Sequence, residues 1–370
     1  MRIALVICGP LETVSGGFLY DRQLVKGFRQ AGHQVDLIEL PWGSYGRQLV
    51  RGLQPALLRR LRRIEADVVL QDELCHPCLL LANRLPGRTA PLVSIVHHLR
   101  AEERAAVGLR LLYRLIERAY LASIGAFIFN TRATQQSVER LLGRPAAGVV
   151  AYPAGDHLPG FGQSSAKPAA DRPEQLRLLF VGNLIPRKGL DTLLTALEGL
   201  PAGAWRLDVV GRTDLNSAYA DRMLGRLQAP RWRQAIHLWG QLSEPELADR
   251  YRQADLLVVP SDHEGFGIVY LEAMGFGLPV IASRAGGAGE LVEHGVHGFL
   301  VPPRSPAELR RHLAGFLDTP GLLTRQGAAA LARARAHPRW QRSVGLAADL
   351  LERIAAGSPS SAASTVAVDF

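Results

Sequence analysis

Short apolar runs alternate along the chain with longer segments in which apolar residues recur every three or four positions. In the first half the runs are rich in β-branched residues and have the length of buried strands. They cover residues 2–8, 34–40, 66–71, 91–97, 125–130 and 147–153. The segments between them, such as 18–32 and 109–124, have the spacing of amphipathic helices. This alternation predicts an α/β fold with a doubly wound parallel sheet.

The composition changes at residues 154–176, which are rich in Gly, Pro, Ser and Ala and are typical of a linker. The strand pattern then restarts, which predicts a second doubly wound domain. Its runs cover residues 176–182, 205–211, 235–240, 254–260, 278–283 and 298–302. The predicted divisions are a first domain (1–155), a linker (156–175), a second domain (176–335), closing helices (306–318 and about 321–355) and a disordered tail (357–370).

The size and composition fit a globular protein with two domains. A chain of 370 residues exceeds the usual size of a single core, and its 47% hydrophobic and 21% charged content is ordinary. The sequence has no apolar stretch of about 18 residues, so no membrane-spanning helix is predicted. The N-terminal run is interpreted as a first strand rather than a secretory signal. Three cysteines fit a reducing compartment, and a cytoplasmic location is expected.

The net charge of +9 comes mostly from arginine and would attract anionic partners. Residues 47–66 carry six arginines among leucines and are predicted to form a basic amphipathic helix. Such a helix either packs with its basic face in water or lies on an anionic membrane surface, for example the inner membrane face. A nucleic-acid partner is not predicted, because the chain lacks zinc-ligand spacing, ribonucleoprotein-type aromatic strands and basic heptads.

Residues 261–303 contain the most specific motif. Glu264 and Glu272 are eight positions apart, and a glycine turn with Gly265 and Gly267 separates the first from the apolar helix that carries the second. Because flanking apolar runs indicate parallel strands, this helix should begin at the carboxyl edge of a sheet, where open α/β folds bind ligands. Its free backbone N–H groups suit a phosphate. The two carboxylates could contact both ends of an elongated anionic ligand.

A second motif lies in residues 180–194. A strand is predicted to end at Val181, and Gly189 opens the next helix after a tight turn. Arg187 and Lys188 stand at the start of that helix, where two cations beside a positive helix end can hold a diphosphate. Cations in this position would stabilise the charge that develops on a leaving diphosphate.

Together the two motifs resemble the nucleotide-sugar site of family-4 retaining glycosyltransferases. The resemblance rests on the Glu-x7-Glu spacing in EGFGIVYLE, followed by EAMGFGLPVIAS and GGAGELVEHGVHGFLVPP. It implies the GT-B fold, in which two doubly wound Rossmann-like domains face a cleft and the last helix, here 336–356, crosses back to the first domain. The implied reaction moves a hexosyl unit from a nucleoside-diphosphate sugar (UDP- or GDP-sugar) to a glycan or lipid-linked acceptor, with retention. The resemblance implies no cofactor or metal, and the chain has no Asp-x-Asp motif.

The resemblance also implies roles for residues of the second domain. Lys188 matches the lysine of the family's phosphate motif, whereas Asn183, next to Gly182, stands where arginine is common, and Arg187 is expected to supply the missing guanidinium. Glu272 would bind the ribose hydroxyls. Glu264 would bind hexose hydroxyls or act as a nucleophile or charge stabiliser. The backbone expected beside Glu264 is that of Gly265, Phe266, Gly267 and Ile268.

In the first domain the candidate site residues follow three predicted strands. Gly16 and Gly17 form a turn that the resemblance places near the donor diphosphate. His97 and His98 end the fourth strand, and His97 is favoured as a contact to the sugar or acceptor, with a structural histidine as the alternative. Asp72 and Glu73 are further candidate acceptor contacts. The nearby Cys75-x-x-Cys78 pair is interpreted as buried thiols rather than a zinc or redox site.

Two other functions compete with glycosyl transfer. One is another GT-B activity, such as a phosphorylase or a sugar-nucleotide epimerase, although the Glu-x7-Glu motif is unusual in epimerases. The other is a non-catalytic, donor-binding pseudo-enzyme. Loss of Glu264, Lys188 or Glu272 would indicate a pseudo-enzyme, and the chain retains all three.

Overall fold

The computed structural model describes residues 1–87, 89–103, 106–163, 175–215 and 217–357. The chain divides into two compact units. Unit 1 contains residues 1–153 together with the segment that begins at Trp340, and unit 2 contains the continuous stretch Ala154–Arg339.

Unit 1 is built on a six-stranded sheet in the order β2-β1-β3-β4-β5-β6. Every ladder in it is parallel, with pairs such as Ile3↔Val35 and Leu5↔Leu70. Its strands are β1 (Arg2–Cys8), β2 (Gln34–Leu40), β3 (Val68–Asp72), β4 (Leu92–Val96), β5 (Ala126–Phe129) and β6 (Gly148–Val150). Its first helices are α1 (Gly16–Gln30), α2 (Tyr45–Arg51), α3 (Pro55–Arg62), α4 (His76–Leu79), α5 (Val107–Leu121) and α6 (Arg132–Leu142).

Unit 2 repeats this architecture in the order β12-β11-β10-β7-β8-β9, again with parallel pairing. Its strands are β7 (Leu176–Val181), β8 (Trp205–Val210), β9 (Ile236–Gly240), β10 (Leu256–Val259), β11 (Val280–Ser283) and β12 (Gly298–Val301). Its helices are α7 (Leu190–Leu197), α8 (Ser217–Leu227), α9 (Glu244–Gln253), α10 (Ile268–Gly275), α11 (Pro306–Asp318) and α12 (Leu322–Ala336).

The last helix, α13 (Trp340–Ala355), belongs to unit 1. The side chain of Val344 on α13 packs directly on Gly27 of α1. A Cβ added at Gly27 would lie 2.3 Å from Val344 Cγ1. The Ser343 hydroxyl donates to the Tyr152 carbonyl over 2.5 Å. The helix is thus an integral part of the unit 1 core.

The predicted strands all form, with ends that differ by two residues or fewer except at β6, which is shorter. The strands can be predicted from the sequence because central strands of a parallel sheet are buried on both faces and are therefore apolar throughout. For example, β10 and β11 are buried at every position. The predicted helix over 47–66 is wrong. The chain forms two short helices there, because Gly52 ends α2 and Pro55 starts α3.

The predicted linker over 156–175 is only partly described. Residues 156–163 form turns within unit 2, and the Gly162 N–H donates to the Gly275 carbonyl over 2.9 Å. Residues 164–174 lie outside the described residues, as does the predicted tail from 358 onward. Among the described helices, none is long and apolar enough to cross a membrane.

Candidate active site

The candidate site of unit 2 lies at the carboxyl edge of β7 and β10, which are neighbours in the sheet. The strand order reverses here: from β7 the chain continues to β8 on one side and later returns to β10 on the other. In open α/β sheets such a switch point leaves a crevice where ligands bind. Arg187 and Lys188 follow β7, and Ser261 and Glu264 follow β10, so the fold brings the two sequence motifs together.

Glu264 is the centre of this site. Its side chain is only 7% exposed, and its Oε1 lies 2.5 Å from Lys188 Nζ. The Ser261 hydroxyl donates to the same oxygen over 2.7 Å. Arg187 approaches the other oxygen, Oε2, to 3.6 Å and donates to the His263 carbonyl over 2.8 Å. Both predicted cations therefore contact the predicted catalytic carboxylate.

The electrostatics of the group keep Glu264 ionised. Burial opposes its charge, but Lys188 and Arg187 outweigh that effect and hold the pKa of Glu264 at about 2. Burial also lowers the pKa of Lys188, which the adjacent Glu264 partly offsets. A buried ionised carboxylate clamped by two cations is expensive to desolvate, and such arrangements concentrate at functional sites.

The backbone around Glu264 is fixed by a second loop. Glu264 N–H donates to the Ala285 carbonyl over 3.2 Å, and Gly287 N–H donates back to the Glu264 carbonyl over 2.9 Å. Gly286, between those partners, has φ +94°, and a Cβ there would lie 1.9 Å from the Glu264 carbonyl oxygen. Only glycine fits. The GGAG segment therefore positions Glu264, a role that the sequence analysis did not assign.

Glu272 lies on α10, which begins after the left-handed Gly267 at φ +83°. Its carboxylate is buried and accepts a hydrogen bond from the Tyr251 hydroxyl at Oε2 over 2.7 Å. His157 Nε2 lies 3.2 Å from the other oxygen, Oε1. Burial opposes protonation of His157, but the hydrogen bond to Glu272 prevails and raises its pKa.

The other residues predicted to bind the nucleotide-sugar lie around Glu264 and Glu272, and they have different contacts. The Asn183 Oδ1 accepts from the Arg212 N–H over 3.2 Å and so braces the loop after β8. Gly182 lies beside the aliphatic part of Lys188, where a Cβ would approach Cδ to 3.2 Å. The ring of Phe266 is buried, 5.6 Å from that of His337, so it serves the core of unit 2. Gly265 and Ile268 complete the turn into α10.

In unit 1 the structure brings His97 together with two carboxylates. His97 Nε2 lies 3.3 Å from Asp21 Oδ1 and 3.9 Å from Asp72 Oδ1, and all three residues are buried. Burial opposes the charge on His97, but Asp21 and then Asp72 raise its pKa to about 9. Burial and the nearby Asp21 raise the pKa of Asp72 to about 7. Gly17 borders the group, since a Cβ there would lie 3.5 Å from the His97 ring.

Glu73 and His98, the other predicted acceptor contacts, do not join His97. Glu73 is almost fully buried, and its Oε1 lies 2.9 Å from His76 Nδ1 in a cluster with Glu117. Burial raises the pKa of Glu73 to about 8 and, with the help of Glu73, that of Glu117 to about 9. His98 Nε2 pairs with Glu103 Oε1 at 2.9 Å. Gly16, exposed at the start of α1, has no described contact with His97.

The cysteines behave as predicted for structural thiols: Cys8, Cys75 and Cys78 are all buried and reduced. Burial raises the pKa of Cys75 to about 11, which makes its thiol unreactive. Two clusters of buried residues in unit 1 have ligand atoms close enough together to hold a cation, within 4.8 Å of one another. The first cluster is Asp21, Asp72 and His97; the second is Glu73, His76 and Glu117.

Sequence reasoning missed His157, Tyr251 and Asp21. His157 lies in the segment predicted as a linker, and Tyr251 lies on α9, so each reaches its partner only through the folded chain. Asp21 has one local signal in the sequence, because its position on α1 falls on the same helix face as the apolar Phe18, Leu24 and Val25, and the structure buries it completely. A buried carboxylate needs a partner, and a histidine at a neighbouring strand end is a suitable one.

Comparison with known proteins identifies the domain that forms most of unit 2. Residues 164–333 match the model described as "Glycosyl transferases group 1". Unit 2 is a group 1 glycosyltransferase domain. The recognition made from the sequence is confirmed at this level, and the domain coincides with the unit that holds Glu264, Lys188 and Glu272.

Two relatives carry related names. A D-inositol 3-phosphate glycosyltransferase of Kineococcus radiotolerans is 32% identical over 240 residues, which are 59% of this chain and 55% of that protein. D-inositol 3-phosphate glycosyltransferase 2 of Catenulispora acidiphila is 30% identical over 282 residues, 71% of this chain and 65% of that protein. The chain thus spans from about half to just under two thirds of the length of these two relatives.

Solved structures show the fold. Sucrose-phosphate synthase from Thermosynechococcus elongatus superposes with a TM-score of 0.79 at 22% identity, over 96% of this chain and 100% of that one. The Anabaena protein HepE, in complex with UDP-glucose, gives 0.75 at 20% identity, over 95% and 99%. The predicted GT-B fold, with two doubly wound Rossmann-like units, is confirmed.

Proposed function

We propose that the whole chain is a group 1 glycosyltransferase, a retaining enzyme that moves a hexosyl unit from a UDP- or GDP-sugar to a glycan or glycolipid acceptor without a metal ion. One observation carries the proposal. At the switch point of unit 2, Lys188 and Arg187 converge on an ionised Glu264, eight residues before a buried Glu272. This arrangement presents positive charge and carboxylate acceptors where a nucleoside-diphosphate sugar needs both.

The cations would serve the leaving group. As the glycosyl–phosphate bond breaks, negative charge develops on the diphosphate, and preorganised donors that meet it lower the barrier. A lysine ammonium has three donors, and Glu264 occupies one of those of Lys188. Diphosphate oxygens can use the others without removing Lys188 from Glu264. Because the chain itself supplies the positive charge, no metal is needed for this step.

The two carboxylates would bind the two sugar rings of the donor, Glu272 the ribose and Glu264 the hexose. Glu272 has about four lone-pair positions, of which Tyr251 and His157 use two, so it can still accept from both ribose hydroxyls. Glu264, kept ionised by its cations, would accept from hexose hydroxyls and stabilise positive charge at the anomeric carbon. Retention rests on the family resemblance.

Donor binding is the first test. The purified chain is screened with UDP- and GDP-sugars by thermal shift, with and without EDTA. We expect stabilisation by one donor, unchanged by EDTA and lost in Glu272→Gln. Glu198→Gln, which removes an exposed carboxylate elsewhere in unit 2, is the matched control and should respond like wild type. Stabilisation that disappears in EDTA would contradict metal independence.

Product analysis is the second test. UDP-glucose is a reasonable first donor because HepE binds it, and inositol 3-phosphate is a reasonable first acceptor because relatives are named for it. NMR of the product should show the same anomeric configuration as the donor. An inverted product would contradict retention. Donor binding without transfer to any acceptor would favour the pseudo-enzyme alternative.

A further inference from the structure

Helix α5 exposes four of its five leucines and buries its one carboxylate. Val107, Leu111 and Leu115 are 77%, 58% and 59% exposed, and they form one row because they are four positions apart. Leu112, beside this row, is 44% exposed. The opposite side of the helix, which packs into unit 1, carries Tyr113, Glu117, Tyr120 and Leu121. An ordinary surface helix has the reverse orientation, with leucines inside.

An arginine row lies next to this leucine row. Arg110, Arg114 and Arg118 are also spaced by four positions and are all exposed. The most outward part of α5 is therefore a strip of leucine flanked by guanidinium groups. Acidic side chains are missing from its exposed positions, since Glu117, the helix's one carboxylate, is buried. A large apolar strip with a basic border is a recognised mark of an interaction surface.

Helix α2 stands beside α5 and has the same character. The ring of Tyr45 on α2 lies 4.5 Å from that of Tyr113 on α5. The segment around α2 exposes Trp42, Val50 and Leu53 at 63–64% each. Arginines lie among these residues here too, and Arg47 is exposed. Two adjacent elements of unit 1 thus combine exposed apolar side chains with positive charge.

We propose that this surface, formed by the exposed leucine and arginine rows of α5, docks unit 1 on an anionic lipid bilayer. Leucines enter the boundary between headgroups and acyl chains, and arginines contact lipid phosphates. A bilayer accounts for both rows at once, because it offers apolar chains and negative charge side by side.

A second copy of the chain fits this surface less well. Two α5 surfaces placed against each other would bring six arginines together at exposed positions without carboxylates to pair with them. Like charges across an interface oppose association. The proposal is independent of the transfer chemistry in unit 2, and the bilayer test below does not require catalytic turnover.

Vesicle flotation tests the proposal on the full chain. The protein is mixed with vesicles of phosphatidylcholine alone or of phosphatidylcholine with phosphatidylglycerol. We expect flotation with the anionic vesicles only, weakened at high salt because salt screens the arginine contacts. Leu111→Ser/Leu115→Ser should reduce the bound fraction about tenfold or more, since it removes two neighbouring leucines from the centre of the inserted row. Arg110→Gln/Arg114→Gln/Arg118→Gln should remove the salt-sensitive part of binding.

Matched controls separate the surface from general composition. Leu215→Ser removes an exposed leucine of unit 2, and Arg206→Gln/Arg233→Gln/Arg353→Gln removes three exposed arginines outside the surface. Both should float like wild type. Circular dichroism and thermal unfolding confirm that each variant is folded; exposed positions tolerate such changes.

Three outcomes would overturn the proposal. The first is that wild type does not float with anionic vesicles. The second is that the α5 leucine variant floats as well as wild type. The third is a wild-type dimer in sedimentation velocity that the leucine variant converts to a monomer, in the absence of flotation, which would assign the surface to a second copy.

Discussion

Each unit groups charged residues near the carboxyl edge of its parallel sheet, but the balance of positive and negative charge is opposite in the two units. In unit 2, two cations surround one carboxylate, and Glu264 stays ionised with a pKa of about 2. In unit 1, two carboxylates surround one imidazole, and the pKa of both His97 and Asp72 rises. Burial is similar in the two groups, so the count of opposite charges decides which form each residue takes.

This difference assigns different ligand chemistry to the two sites. A group with surplus cations suits an anionic ligand such as a diphosphate. A group with surplus carboxylates suits hydroxyl donors or protons, and it would repel a phosphate. A shared fold thus supports two kinds of site, because the loops after the strands carry the charges.

Removing a cation from unit 2 should have the largest effect. Lys188→Ala leaves the buried Glu264 with only Arg187 and deprives the leaving diphosphate of a donor. We expect kcat/KM for transfer to fall about 10²-fold or more, the usual cost of one lost donor of this kind. Arg177→Ala is the control: it breaks an ion pair with Asp255 at the opposite, amino-terminal edge of the same two strands. This variant should leave kcat/KM almost unchanged. Equal losses in both variants would show a general effect on the fold.

The second largest effect is expected from loss of the hydrogen bond that Tyr251 donates to Glu272. Tyr251→Phe removes one hydrogen bond to a buried carboxylate while preserving the ring, which stacks on Phe276 at 5.6 Å. Hydrogen bonds to charged groups contribute about 1.5–3 kcal/mol, so donor affinity should fall about tenfold. Isothermal titration with the donor measures it. The change should appear in donor affinity and not in acceptor KM, and a change confined to the acceptor would contradict the assignment.

The pH dependence of stability tests unit 1. The pKa of His97 (about 9), Glu73 (about 8) and Asp72 (about 7) all lie above their usual values in the folded state. The folded chain therefore binds more protons than the unfolded chain at neutral pH, and stability should fall as pH rises from about 5 to about 9. Thermal unfolding across this range measures it.

Neutral replacements sharpen the pH test. Glu73→Gln removes one of the titrating groups and should flatten the decline in melting temperature between pH 6 and 9. Glu308→Gln, which removes a partly exposed carboxylate of unit 2, should not change that decline. A melting temperature that rises toward pH 9 in wild type would contradict the raised pKa values.

The smallest effect is expected for the partner of His97. Asp21→Asn removes the nearest opposite charge, at 3.3 Å, and should lower the pKa of His97. The shift is measurable by NMR titration of the imidazole. Glu103→Gln, which removes the partner of His98, should leave the His97 titration in place. If the pKa of His97 is unchanged in Asp21→Asn, Asp72 rather than Asp21 causes its rise.

The sequence predicted the strands and the unit 2 motifs because their signals are local. The apolar run of β10 and the Glu264–Glu272 spacing can each be read within a few residues. The contacts of His157, Tyr251 and Asp21 join residues far apart in the chain, so no local pattern shows them. The orientation of α5 was also hidden, because apolar periodicity predicts a helix but here the leucines face outward.

The placement of α13 has a consequence for how the protein is made. Unit 2 is one continuous stretch, whereas unit 1 needs residues that are translated after all of unit 2, including the buried Leu351. Domains commonly fold in the order in which they leave the ribosome. Here the sheet of unit 1 leaves the ribosome before unit 2, but Gly27 and its neighbours stay uncovered until α13 has been translated after unit 2. Unit 2 can complete its core earlier, so the second domain in the sequence is the first able to finish folding.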